Sequence, residues 1–211
     1  MSTQRTTASA AAEAWAEQVR VGREQIERLS EVDEPADFYG PMAQRFALDP
    51  HRTDDEALEV LRTLDRRRET WLDIGAGGGR YALPIALVVR RVIAVEPSEA
   101  MRKVLRAGIS EHGIGNIGVV EDHWPAADPV SADVALMAHV GYDIEGFGAF
   151  LDAAEAAAGR CVVIMRTSGA ARLNATLFPE IHGQDRHAYP MLPELVELLA
   201  ARGTDAGVTL V

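Results

Sequence analysis

The sequence of 211 residues holds one cysteine, Cys161. A single thiol excludes an internal disulfide framework and fits a reducing compartment. Positive charge is also scarce: 21 Lys and Arg stand against 32 Asp and Glu, for a net charge of −11. Nucleic-acid binders normally offer a basic face, so no nucleic-acid partner is expected, whereas small substrates remain open. Long apolar runs are missing too. No stretch approaches the roughly 18–20 residues of a membrane span, and no membrane partner is expected. Residues 1–12 are rich in Ser, Thr and Ala and have no apolar centre, which argues against a secretory leader. The expected location is cytoplasmic. His182 and His187 are five apart with no carboxylate or thiol at ligand spacing, so no metal is expected.

Glycine, by contrast, is concentrated where it matters. Trp71-Leu72-Asp73-Ile74-Gly75-Ala76-Gly77-Gly78-Gly79-Arg80-Tyr81 reads as a buried strand, a glycine turn and the start of a helix. Glycines let the backbone turn tightly and approach a ligand closely. A helix opening near Gly78 and running to Val89 would aim free N–H groups at whatever sits on the turn. Pro84 lies inside that helix and should cost it a hydrogen bond. The dinucleotide fingerprint G-x-G-x-x-G wants a small residue where Arg80 stands. The pattern present is D-x-G-x-G-x-G.

Further acids follow at strand ends. Residues 91–95 form a second strand ending at Glu96, about 20 residues past the glycine turn, where a carboxylate can accept bonds from ribose hydroxyls. Pro97 and Ser98 lead into a helix with Ser98 as N-cap. Its buried face is Met101, Val104, Leu105 and Ile109. Residues 117–120 form a third strand that runs into Glu121-Asp122-His123-Trp124. Residues 132–138 form a fourth strand ending at Ala138, followed by His139-Val140-Gly141-Tyr142-Asp143. Residues 160–165 give a fifth and 208–211 begin a sixth. Before the glycine turn, Trp15, Val19, Gly22, Ile26 and Leu29 make one stripe of a helix over 12–30, with 1–11 expected to be disordered. The segment 167–190 has no clear periodicity.

The D-x-G-x-G-x-G turn resembles motif I of the class I S-adenosylmethionine (SAM) dependent methyltransferases, and E-P-S-x-x-M resembles their motif II. The resemblance covers about residues 54–166. It implies a doubly wound, mostly parallel Rossmann-like α/β sheet, with an N-terminal helical extension or lid over 1–50 and a SAM-binding core over 51–211. The family sheet has seven strands; six are counted here, which suggests truncation after Val211 or an edge completed differently. By resemblance Asp73, Gly75, Ala76 and Gly77 hold the methionine part of SAM, with the acid on its amino group. Glu96 takes the ribose, with Pro97 next to it, and Met101 either touches the adenine or packs in the core. Asp122, with His123, lies where the family binds adenine, though Glu121 replaces a common glycine and leaves open which acid faces the ring. Ala138 ends the strand nearest the transferred methyl. His139 is the candidate general base, and Tyr142 and Asp143 could position a substrate. The implied activity is methyl transfer from SAM to a small molecule, yielding S-adenosylhomocysteine (SAH). A SAM-binding sensor without catalysis is the main rival. A nicotinamide oxidoreductase is the other, with Asp73 and Arg80 against it.

Overall fold

The structure, a computed structural model, describes residues 2–30, 37–64, 68–168 and 173–211. The chain divides into two compact units: residues 34–138 with 152–164, and residues 1–33 with 139–151 and 165–210.

The first unit holds the sheet. Its strands are β1 (Thr70–Ile74), β2 (Arg91–Val95), β3 (Ile117–Val120), β4 (Ala132–Ala138) and β5 (Ala158–Ile164), all parallel, in the order β3-β2-β1-β4-β5. The doubly wound Rossmann-like expectation is met. The central strand β1 is buried at every residue, as a strand covered on both faces should be. Its order reverses between β1 and β4, and in open α/β sheets the crevice at such a switch point, outside the carboxyl ends of the strands, is where ligands bind. Leu58 and Leu61 of α2 (Glu56–Leu64) pack with Trp71, Val92, Leu105 and Leu136 in the main core. Asp55 caps α2 by accepting the Leu58 N–H at 3.1 Å.

In the second unit, α1 (Ser2–Leu29) packs on α7 (Leu192–Arg202). The expected stripe is present: Trp15 and Val19 are buried, and Trp15 stacks on Phe147 with ring centroids 4.6 Å apart. A Cβ on Gly22 would sit 3.2 Å from the Tyr189 ring, which is why that stripe contains a glycine. Gly203 ends α7 at φ 74.

Five expectations fail. The first helix begins at Ser2, not Ala12, because the alanines before Trp15 are the strongest helix formers and carry it upstream. The helix after the glycine turn, α3, spans only Ala82–Ala86. Positive φ at Gly77 and Gly79 delays its start, and Pro84 removes the amide that would bond the Arg80 carbonyl. That carbonyl instead accepts from Arg52 at 2.7 Å. The aperiodic segment contains a helix, α6 (Leu173–His182), hidden in the sequence by the internal Pro179. Residues 208–211 form no strand: Val208, Leu210 and Val211 are exposed and unpaired with the sheet, which has five strands among the described residues, not six. Phe38, Tyr39, Met42 and Phe46 form an aromatic-rich cluster of the kind most often found in a core, yet Phe38 and Tyr39 are exposed, edge-on beside the 3₁₀ helix Gly40–Phe46. The sequence turn at 34–37 and the charged turn at 65–69 lie partly outside the described residues.

Candidate cofactor site

Asp73 is next to last in β1 and 2% exposed. Its carboxyl accepts the Ala82 N–H at the start of α3. Its Oδ2 is buried with no hydrogen-bond partner. An unpaired buried carboxylate oxygen is costly. Burial, and secondarily the charge of Glu96, pushes the Asp73 pKa up to about 7. A cation delivered to Oδ2 would relieve both penalties.

Glu96, 5% exposed, leaves β2 beside it. Its Oε2 accepts the Gly77 N–H at 2.7 Å and its Oε1 accepts the Ser98 N–H at 2.8 Å. Burial raises its pKa, against the pull of those two amides and of Arg102. Each oxygen keeps a second lone pair, so the carboxylate can still receive two hydroxyl donors.

The glycine turn is closed on itself. Gly75 and Ala76 donate to the Val95 carbonyl at 2.9 and 3.1 Å, and Gly79 donates to Ala76 at 2.9 Å. With Gly77 given to Glu96, little remains to cradle a phosphate. The single turn of α3 offers no long dipole either. The glycines serve different ends. A Cβ on Gly77 (φ +56) would meet nothing within 4 Å, so this residue presents backbone to open space. A Cβ on Gly79 (φ +90) would strike Leu105 and Leu83 at 2.7 and 2.8 Å, so this one is needed for packing.

Around motif II, Ser98 caps α4 (Glu99–Glu111) by accepting the Met101 N–H at 3.1 Å. Met101 is 2% exposed and packs with Ala43 and Val104, and Pro97 is exposed. After β3, both Asp122 oxygens are engaged: Oδ1 accepts the His123 N–H at 2.8 Å and Oδ2 the Ala127 N–H at 2.6 Å. Those amides hold its pKa down. Glu121 pairs with Arg106 and with Arg102 at 3.2 Å, which lower its pKa. His123 is exposed. Ala138 closes β4 opposite Ile164 of β5.

His139 follows β4 and belongs to the other unit. It is exposed, at the unusual φ of 58, with Nδ1 3.4 Å from the Tyr142 hydroxyl oxygen. That oxygen accepts the Arg166 N–H at 2.9 Å.

Three supporting residues carry no motif. Arg102, nearly buried, donates to the Glu96 and Pro97 carbonyls at 3.0 and 2.5 Å. Asp37 accepts from the Ser98 hydroxyl at 2.8 Å and from the Ala100 N–H at 3.0 Å. Asp55 Oδ2 accepts from Arg80 at 2.8 Å and Arg52 at 3.1 Å. Burial alone would raise the Asp55 pKa; Arg80, the Leu58 amide and Arg52 bring it below the usual carboxylate range. The only sequence signal for the last was the oddity of Arg80 itself.

Residues 72–165 match a family model described as a methyltransferase domain. The chain carries the class I methyltransferase fold. Solved structures agree. The chain superposes on the magnesium protoporphyrin IX methyltransferase ChlM of Synechocystis PCC 6803, solved with bound SAH. The identity is 16%, coverage is 79% of this chain and 86% of that one, and the TM-score is 0.61. DhpI, solved as a SAM-HEP complex, is 18% identical over 79% of this chain and 86% of its own, at TM-score 0.54. YcgJ of Bacillus subtilis is 18% identical over 70% and 67%, at 0.53. At such identities the likeness to these structures is one of fold. No curated protein matches the sequence closely enough to count as a relative. No helix among the described residues is long and apolar enough to cross a membrane.

Proposed function

We propose that this chain is a cytoplasmic SAM-dependent methyltransferase acting on a small-molecule acceptor. The observation that carries the reading is Asp73, a buried carboxylate with one oxygen unpaired, on the strand that leads into the glycine turn where Gly77 presents backbone to open space. An ammonium group answers that vacancy in charge and hydrogen bonding. SAM has one, attached to an adenosyl group whose two ribose hydroxyls suit the free lone pairs of Glu96.

When bound, SAM supplies an electrophilic methyl group. The chain does the rest. Asp73 holds the amino group, Gly75, Ala76 and Gly77 lie along the methionine part, and Glu96 fixes the ribose. Pro97 flanks it, and Met101 underlies the adenine. Asp122 and His123 border the adenine through the turn they build. Ala138 ends the strand that leads to the acceptor side, and His139 takes a proton where the acceptor is a hydroxyl or thiol. Where the acceptor needs no base, orientation and exclusion of water suffice. The division into an extension over 1–50 and a core over 51–211 is part of the same proposal.

The amides of Gly75, Ala76, Gly77 and Gly79, all bonded within the protein, favour this reading over a nicotinamide oxidoreductase, whose pyrophosphate needs free N–H groups. The acidic surface favours a small acceptor over nucleic acid. Calorimetric titration with SAM, SAH and NADH tests it. Binding of the two adenosyl ligands alone is expected; binding of NADH alone would overturn the cofactor. Methyl transfer from labelled SAM to members of an acceptor panel separates an enzyme from a SAM-binding sensor.

A further inference from the structure

Away from the cofactor site, Asp49, His51 and His112 each offer a ligand atom, and these atoms all lie within 4.8 Å of one another. The three come from different places. Asp49 and His51 sit on one turn, and His112, 61 positions beyond His51, follows the last residue of α4. The His51 and His112 rings meet edge-on, with centroids 6.2 Å apart and planes at 68°.

The turn is built to present these groups. Asp49 Oδ1 accepts the His51 N–H at 2.8 Å, which orients the carboxylate and leaves its second oxygen for a cation. The Asp49 carbonyl accepts the Arg52 N–H at 3.2 Å, which closes the turn. His112 stands at the carboxyl end of a 13-residue helix, where the negative end of the dipole favours positive charge. Bonds of about 2.1 Å to a tetrahedral ion hold ligand atoms about 3.4 Å apart, so exposed side chains need only small rotations to close on one.

We propose that Asp49, His51 and His112 form a site for a divalent transition ion of the zinc type, with two nitrogen ligands, one oxygen ligand and the remaining position filled by water. Imidazole and carboxylate together suit zinc, cobalt, nickel or copper and not calcium, which takes only oxygen. The site joins a surface turn to α4. The same turn carries Arg52, which holds the Arg80 carbonyl at the end of the glycine turn, so the ion braces that support.

The test uses the full chain freed of any affinity tag, titrated with ZnCl₂ by calorimetry and followed by thermal unfolding with and without zinc. One ion per chain and a higher unfolding temperature with zinc are expected. His112→Ala should weaken zinc binding by more than the roughly 10–100-fold that loss of a merely supporting contact costs. Asp49→Asn keeps the oxygen that caps His51 and should weaken zinc binding while leaving zinc-free unfolding unchanged. Equal zinc affinity in the wild type and His112→Ala would overturn the site, as would binding too weak to raise the unfolding temperature. SAM binding in zinc-free protein reads out separately, so failure here leaves the cofactor reading standing.

Discussion

The acids at the ends of β1 and β2 live in a different world from those at the end of β3. Asp73 and Glu96 are buried, raised in pKa, and keep acceptor capacity that no protein group uses. Glu121 and Asp122 stand outside, lowered in pKa, one held by arginines and the other by two backbone amides. All four occupy strand ends that a motif reading treats alike. What separates them is desolvation: a buried acid with a spare lone pair carries a cost that a ligand can remove, while an exposed acid with its partners already in place does not.

The sharpest way to break this contrast is Glu96→Ala. It strips two amides of their acceptor as well as the ribose partner, so SAM affinity should fall by about 3 kcal/mol by calorimetry. Unchanged affinity would remove the ribose role. Asp73→Asn comes next, at about 2 kcal/mol, the usual worth of a hydrogen bond to a charged group. The apo variant should be no less stable at pH 8, since an amide costs less to bury than a carboxylate.

A pH titration follows from the same residue. Asp73 sits near 7 when folded, against an ordinary 3.8. Its raised pKa adds stability that is complete below the ordinary value and is lost as pH rises through about 7. An ammonium ligand wants the ionised form. SAM affinity should therefore drop by about 1.4 kcal/mol for each unit below pH 7, until the ordinary range is reached. Methylthioadenosine, which lacks the amino acid, should show a flat profile, and so should SAM with Asp73→Asn. Smallest of all is Asp122→Asn, which should leave SAM affinity where it was. A marked loss would mean that the Asp122 carboxylate itself bonds the adenine, beyond shaping the turn beside it.

The sheet was legible because each of the first five strands is an apolar run that ends at a glycine, an acid or a polar loop. The parallel order followed from their alternation with helices. Asp73 and Glu96 were legible through spacing from the glycines. The short α3 was not, since its shortness comes from positive φ at Gly77 and Gly79, and a sequence records which residue can adopt such a φ, not which does. Residues 208–211 had the composition of a strand, yet they pair with neither β3 nor β5 at the sheet edges. Arg102, Asp37 and Asp55 escaped because their work is to bind carbonyls, amides and arginines brought near by tertiary structure, and no periodicity marks that. The gathering of Asp49, His51 and His112 is of the same kind.

Pro84 leaves the Arg80 carbonyl without its helical donor, and Arg52 fills the gap. The two positions are thereby energetically coupled. Replacing Pro84 with alanine would restore a helical donor and make the arginine expendable there; replacing Arg52 while the proline remains would strand a carbonyl at the rim of the glycine turn. The order in which the two changes are made thus decides what each one costs, and a pair 32 positions apart in the chain should be non-additive in a double-mutant cycle.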